Sequence, residues 1–153
     1  MEENSKLVSI SLGSNLGNKE QNLSFAINQL EDRVGKVLIT SDFLISEPQG
    51  FFSENSFINC CCVIITKLSI LELISITQRI EIEMGRSKLK INEYEDRLID
   101  IDIIFYADEV FNHKNVRIPH IHFRKRDFVL LPLKQISDKI DPETFISIHQ
   151  FTK

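Results

Sequence analysis

The sequence predicts an α+β fold of the ferredoxin-like type: a βαββαβ core with an antiparallel sheet covered by helices in three layers. Three observations lead there. Four stretches are apolar and β-branched or alternate at period two, as strands do, and two stretches between them carry apolar stripes at helical spacing. Each of those two stretches is preceded by a capping signal. The elements follow one another in the order β-α-β-β-α-β before a last apolar helix. At 153 residues the chain is expected to form one domain over residues 1–153, burying roughly 70% of its unfolded surface.

Composition narrows the function classes. With 42% hydrophobic and 26% charged residues and few Gly or Pro, the chain reads as an ordinary soluble globular protein, not a disordered tail. A formal net charge of -4 argues against nucleic acid as the main partner, while local basic patches remain able to bind phosphate. Met1 to Lys6 is polar and acidic and no apolar run reaches membrane-spanning length, so neither export nor membrane insertion is expected, and the cytoplasm is the expected compartment. Cys60, Cys61 and Cys62 are adjacent. Neighbours lie too close for a disulfide, and no second ligand cluster at zinc spacing accompanies them, so they are expected to be reduced core residues.

Leu7 to Leu12 alternates like a strand and runs into Gly13-Ser14-Asn15-Leu16-Gly17, which favours a turn. Asn18, with Gln21 three residues on, predicts a cap for a helix near 19–33, whose stripe is Leu23, Ala26, Ile27, Leu30 and Val34. Val37 to Ile45 predicts a second strand, ending at the loop Ser46-Glu47-Pro48-Gln49-Gly50. Phe51 and Phe52 follow without periodic partners and suggest a lid or a local anchor. Phe57 to Lys67 predicts a third strand with Phe57, Asn59 and Cys61 on one face. Asn59 is polar among apolar neighbours, so it is either satisfied by backbone or set to read a polar ligand.

Ser69 and Glu72 predict a capping box for a helix with Ile70, Leu73, Ile74, Thr77, Ile80 and Met84 inside, closed by Gly85 as its C-cap. Gln78 and Glu81 stand at the margin of that stripe, either solvated or within reach of a ligand. Residues 86–97 have no apolar period and predict a mobile loop with arginines at both ends. Arg97 to Tyr106 predicts the fourth strand. Alternation puts Asp100 and Asp102 on one face and Ile99, Ile101 and Ile103 on the other. Two carboxylates this close repel, and a divalent cation resolves the conflict; Mg2+ takes one or two carboxylates plus phosphate oxygens. An edge strand whose two Asp face water is the alternative. Asp108 to Val110 and Val116 to Ile118 predict short extended pieces around a turn at Asn112 to Asn115. A basic run from His122 to Arg126 leads into an apolar helix from Phe128, with Pro132 expected in an early turn. A final short helix is expected over Thr144 to Phe151.

Taken together, the order Gly13-Ser14-Asn15-Leu16-Gly17, Phe57-Ile58-Asn59, Thr77-Gln78-Arg79-Ile80-Glu81 with Gly85-Arg86, Arg97-x-x-Asp100-Ile101-Asp102, and Pro119-His120 with Arg126 and Phe128 resembles the 6-hydroxymethyl-7,8-dihydropterin pyrophosphokinase family of folate biosynthesis. The likeness covers about residues 7–137. It implies transfer of the diphosphoryl group of ATP, as co-substrate, to the pterin hydroxymethyl oxygen, with two Mg2+ ions on Asp100 and Asp102. It also implies that Gln78, Glu81, Lys88, Arg97, Ile103, His120 and Arg126 bind ATP, and that Arg86 acts with Arg97 on the phosphates. For the pterin it implies Phe57 and Phe128 on the ring faces, Asn59 on its edge, and Ser46, Glu47, Gln49 and Tyr94 around it. The partners would be these two small molecules, acting on a monomer. Physical reading agrees, since phosphoryl-type transfer needs positioning and charge neutralisation rather than a covalent nucleophile. Glu93, Glu95 and Asp96 depart from the family pattern, which has a basic residue and two small ones there, and are expected to disfavour closure over ATP.

Two other classes fit parts of the pattern. A nucleotidyltransferase also pairs a Gly-Ser loop with Asp-x-Asp, but with the acidic pair following closely, whereas here a helix, two strands and another helix intervene. A ferredoxin-like ligand-sensing or RNA-binding module would leave the arginine-flanked loop without a purpose.

Overall fold

The computed structural model describes residues 3–47, 55–85 and 96–151. Its elements are β1 (Lys6–Ser14), α1 (Lys19–Arg33), β2 (Gly35–Thr40), β3 (Leu44–Ser46), β4 (Phe57–Thr66), α2 (Ile70–Glu83), β5 (Asp100–Tyr106), β6 (Phe111–His113), β7 (Val116–Ile118) and α3 (Asp127–Ile136). The sheet runs β2-β4-β1-β5, with β3 also on β4, and the β1–β4, β1–β5, β2–β4 and β3–β4 pairs are all antiparallel. This is the ferredoxin-like arrangement, with β6 and β7 added as a separate hairpin.

Alternation along the strands builds two cores. Val8, Ile10 and Leu12 of β1, Cys60, Cys62 and Ile64 of β4 and Ile101 of β5 face α1 and α2, meeting Leu23, Ala26, Leu30, Leu73 and Ile80. On the opposite face Cys61, Ile104 and Phe105 pack on Phe123 and on Val129, Leu130 and Leu133 of α3. A bulge supplies this second set. Ser9 pairs with Phe105 and Ile10 with Ile103, so Ile104 is the extra residue, and the simple alternation that the Asp100 to Ile103 stretch obeys ends there. The three thiols are free and buried, and burial pushes Cys60 up to about 12, so it stays protonated and unreactive.

Both predicted helices start where expected. Asn18 accepts the Gln21 N–H at 3.1 Å, and Ser69 and Glu72 form the reciprocal capping box. Met84 rather than Gly85 is the cap residue of α2. Gly85 follows it at φ +113°, a left-handed conformation that a side chain would strain.

Several boundaries differ from the sequence reading. Gly13 and Ser14 belong to β1, paired with Asn59 and Ile58, and not to the turn. The stretch Val37 to Ile45 is two strands. Ser41 interrupts it by sending its N–H to the Cys61 carbonyl at 2.8 Å and taking the Cys61 N–H on its hydroxyl at 2.9 Å, a side chain standing in for the ladder. β5 begins at Asp100, because the main chain of Arg97 is engaged with Asn15. The first strand of the hairpin is Phe111–His113, not Asp108 to Val110; Glu109 N–H closes a turn on the Tyr106 carbonyl at 3.0 Å instead. Pro132 is the sixth residue of α3, in its second turn. It has no N–H for the Phe128 carbonyl, and the helix ends four residues later.

The expected helix over Thr144 to Phe151 shrinks to one 3-10 turn at Ile148–Gln150. Fully buried Asp141 holds the preceding residues in a turn: its carboxylate takes the Glu143 N–H, the Thr144 hydroxyl and the Arg124 guanidinium, and Ile140 bridges to Ser147. The loop from Pro48 through Phe51 and Phe52, and residues 86–95, lie outside the described residues.

Candidate active site

β5 is one edge of the sheet, and the site is built around it. The Ile101 N–H points away from β1, and the Glu81 carboxylate accepts it at 2.8 Å. Glu81 is therefore buried, at 7% exposure, rather than solvated, while Gln78 one turn earlier is exposed. By the two-residue period of a strand, the main-chain groups of Ile103 point to the same side as those of Ile101. Past Ile103 the Ile104 carbonyl accepts the His120 N–H at 3.2 Å. Among the described residues the β5 edge is thus covered at Ile101 by Glu81 and at Ile104 by His120.

The cleft that results has a volume of about 550 Å³ and wraps from that edge onto the α3-side face of the sheet. Ser46, Glu47, Phe57, Asn59, Gln78, Glu81, Arg97, Asp100, Asp102, Ile103, His120, Arg126 and Phe128 all line it. These are all the site residues expected from the sequence that fall among the described residues; Gln49, Arg86, Lys88 and Tyr94 lie outside them.

At one end, Phe57 opens β4 and Phe128 stands in the first turn of α3, so two aromatic side chains reach the same recess from different elements. Asn59 lies between sheet neighbours at 3% exposure and donates from Nδ2 to the Ser46 hydroxyl at 2.7 Å and to the Leu44 carbonyl at 3.3 Å. Its donors are satisfied by its own chain, in the manner the first alternative expected. Gly13 makes room for the other end of the amide, since a Cβ there would stand 2.9 Å from Asn59 Oδ1. Flat heterocycles stack on such aromatic faces, and an amide matches a donor-acceptor edge.

In the middle, Asp100 and Asp102 project from one face of β5 at 28% and 31% side-chain exposure. Arg97 Nη1 lies 3.3 Å from Asp100 Oδ1. Burial pushes the His120 imidazole down to about 4, with the charges of Arg126 and His122 adding to the effect and Asp100 opposing it. His120 is therefore neutral at pH 7. Its Nδ1 accepts the His122 N–H at 3.2 Å, which leaves the ring proton on Nε2, 3.8 Å from Asp102 Oδ1. Two adjacent carboxylates opening on a cleft suit a hard cation that completes its shell with water and phosphate oxygens. Among the described residues no three acidic, His or Cys side chains form a group that could hold a metal ion.

At the far end the hairpin adds a basic wall that the sequence reading missed. Lys114, Arg117 and His122 line the cleft, along with Asn112 and Asn115. Arg117 is held from behind by Glu143 at 2.7 Å; Arg126 stands instead beside the aromatic recess, 5.6 Å over the Phe128 ring. The basic residues around the predicted turn were the available signal, but nothing local says that the hairpin folds back over β5.

Asp96, the one member of the acidic run among the described residues, is turned onto two amides. Its carboxylate accepts Asn15 Nδ2–H at 2.6 Å and Asn55 Nδ2–H at 3.2 Å. Glu93 and Glu95 lie outside the described residues. Among the described residues, no helix is long and apolar enough to cross a membrane.

A family model described as 7,8-dihydro-6-hydroxymethylpterin-pyrophosphokinase (HPPK) matches residues 9–138. A 2-amino-4-hydroxy-6-hydroxymethyldihydropteridine pyrophosphokinase of Porphyromonas gingivalis is 38% identical over 139 residues, covering 90% of this chain and 95% of that protein. The protein of that name from Haemophilus influenzae is 35% identical over 139 residues, covering 90% and 86%. A folic acid synthesis protein of Pneumocystis carinii is 39% identical over 145 residues, which is 94% of this chain but 19% of that protein. Among solved structures, Plasmodium falciparum HPPK-DHPS superposes with a TM-score of 0.76 at 16% identity, covering 95% of this chain and 44% of that one, a likeness of fold. With the family matched from the β1 strand to the end of α3 and its motifs lining one cleft, the chain belongs to the 7,8-dihydro-6-hydroxymethylpterin-pyrophosphokinase family.

Proposed function

We propose that this chain is a single pyrophosphokinase domain that transfers the diphosphoryl group of ATP to 6-hydroxymethyl-7,8-dihydropterin, releasing AMP. The observation that carries the reading is the order of chemistry along one cleft: an aromatic and amide recess, then two carboxylates, then a basic wall. That order matches the order of the reactants, with a flat heterocycle, the reacting phosphates and the rest of the nucleotide. In the reaction the hydroxymethyl oxygen forms a bond to the β-phosphorus. The bond from that phosphorus to the oxygen bridging it to the α-phosphorus breaks, and AMP leaves with the electron pair.

Each side chain has a role in this reading. Phe57 and Phe128 hold the pterin ring by its faces, and Asn59 and Ser46 meet its edge. Asp100 and Asp102 hold two Mg2+ ions, which supply neutralisation of the phosphate charge when bound. Arg97 and Arg126 add fixed positive charge around the transferred group, where it counts most because the cleft is partly shielded from water. Neutral His120 donates from Nε2. The main chain of Ile103, facing outward on the β5 edge beside Gln78 and Glu81, offers a donor and an acceptor to the nucleotide base. Arg86, Lys88, Gln49 and Tyr94 belong to the same reading through the family likeness. The protein is proposed to act as a cytoplasmic monomer.

The test is AMP release from ATP, followed by chromatography, with and without 6-hydroxymethyl-7,8-dihydropterin and Mg2+. Release that requires both supports the reading. Release independent of the pterin would make the chain a different ATP-cleaving enzyme.

A further inference from the structure

Asp96 stands where the family pattern has a small residue, and its carboxylate is turned into the protein, onto Asn15 and Asn55. Asn15 is fully buried, and its backbone N–H and side-chain amide are all committed. Its N–H donates to the Arg97 carbonyl at 3.1 Å, its Oδ1 accepts the Arg97 N–H at 2.7 Å, and its Nδ2 reaches the Asn55 carbonyl at 3.4 Å as well as Asp96. One buried residue therefore holds both main-chain groups of Arg97, its side-chain oxygen the N–H and its own backbone N–H the carbonyl, and the guanidinium of Arg97 sits 3.3 Å from Asp100.

An asparagine amide has two orientations of nearly equal shape and opposite hydrogen bonding. Turned over, Asn15 would set an N–H against the Arg97 N–H and a carbonyl oxygen against the Asp96 carboxylate. Both contacts are repulsive. With a small apolar residue at position 96 only the contact with the Arg97 N–H would oppose the flip, whereas the carboxylate adds the second repulsion and rewards the observed orientation with a charge-assisted bond.

We propose that Asp96 is a positioning residue: by locking the Asn15 amide it fixes the main chain of Arg97 against Asp100, and through Asn55 it ties that point to the residues entering Phe57. The role rests on the pyrophosphokinase reading, in which Arg97 and Asp100 act on the phosphates.

The experiment compares Asn15→Asp, Asp96→Ala, Asp96→Asn and the exchange Asn15→Asp with Asp96→Asn. Asn15→Asp places two carboxylates face to face and should lower kcat by roughly ten- to a hundredfold, the scale of displacing a reacting group by about an ångström. Asp96→Ala should lower kcat more than it raises KM for the pterin. In the exchange the introduced carboxylate at 15 accepts both the Arg97 N–H and the introduced amide at 96 but faces the Asn55 carbonyl, so kcat should rise at least about threefold above Asn15→Asp without reaching wild type, a coupling that two independent lesions would not show. A second readout needs no substrate: the Arg97 amide should exchange with solvent at least ~10-fold faster in Asp96→Ala than in wild type. Wild-type kcat and unchanged Arg97 exchange in Asp96→Ala would overturn the proposal, as would an exchange variant no more active than Asn15→Asp. If wild type itself releases no AMP, the functional reading fails separately, and the exchange rate of the Arg97 amide alone decides whether Asp96 holds it.

Discussion

The carboxylate of Glu81 on α2 accepts the backbone N–H of Ile101 on β5 at 2.8 Å, so a buried acid closes part of the β5 edge beside the site. Glu81→Leu keeps the packing volume and strands that N–H. It should destabilise the protein by about 1–3 kcal/mol, the cost of an unsatisfied buried donor, and weaken MgATP binding because the β5 edge shifts. Glu81→Gln retains an acceptor and should cost much less. Urea denaturation and ATP titration of both variants check this; equal stability of the leucine variant and wild type would show that the bond contributes nothing.

Asp100→Asn and Asp102→Asn each remove a charge while keeping shape. Both side chains are partly exposed, so the fold should survive, with thermal unfolding close to wild type. Turnover should fall by at least ~100-fold, the scale of losing one strong electrostatic element at a reacting centre. Steady-state AMP release at saturating Mg2+ measures it. Near-normal rates in both variants would remove the metal assignment.

Asn59→Leu should weaken pterin binding by about 1–3 kcal/mol through the lost polar contact, with a smaller effect on ATP. The structure adds a second consequence. Because Asn59 also anchors Ser46 and Leu44 of β3, the side of the recess that Ser46 forms should loosen too. Calorimetry with each ligand separates the outcomes, and equal losses for pterin and ATP would assign Asn59 to the fold alone.

The C-terminal network predicts a pH dependence of stability. Asp141 is opposed by its burial, but its bonds to Arg124, the Glu143 N–H and Thr144 outweigh that, and its carboxyl lies below the ordinary value of 3.8. Glu143 lies below 4.5 because Arg117 and Arg124 hydrogen-bond it. Groups with lowered folded values stabilise fully above their unfolded values, and that contribution disappears as pH falls through the folded ones. The urea midpoint should therefore be level near neutrality with respect to these two groups and drop below about pH 4.5. Asp141→Asn should flatten part of that drop and lower stability at pH 7 by roughly 1–3 kcal/mol, since it weakens a charge-assisted bond while Arg124 keeps Glu143 as its other partner. An acid limb with the same slope in the variant would refute the assignment.

How much of this was legible in the chain follows from the range of the forces involved. Period-two alternation put Asp100 and Asp102 on one face, and the caps at Asn18 and Ser69 marked both helix starts, because those features are decided by neighbours within a few residues. The motif order was enough to place the recess residues Phe57, Asn59 and Phe128 in a single reading. Tertiary structure alone decided the rest. Glu81 is buried and not solvated because β5 brings Ile101 to it across 20 residues of chain. Arg117 and Lys114 line the cleft because the hairpin docks beside β5, and Asp96 meets Asn15 across 81 residues. The strand expected over Val37 to Ile45 broke, and the last helix shrank, for the same reason. The Ser41 hydroxyl and the Asp141 carboxylate found partners at Cys61 and Arg124 that outcompete local propensity, and a hydrogen bond to a distant partner leaves no mark in the periodicity of the segment that makes it.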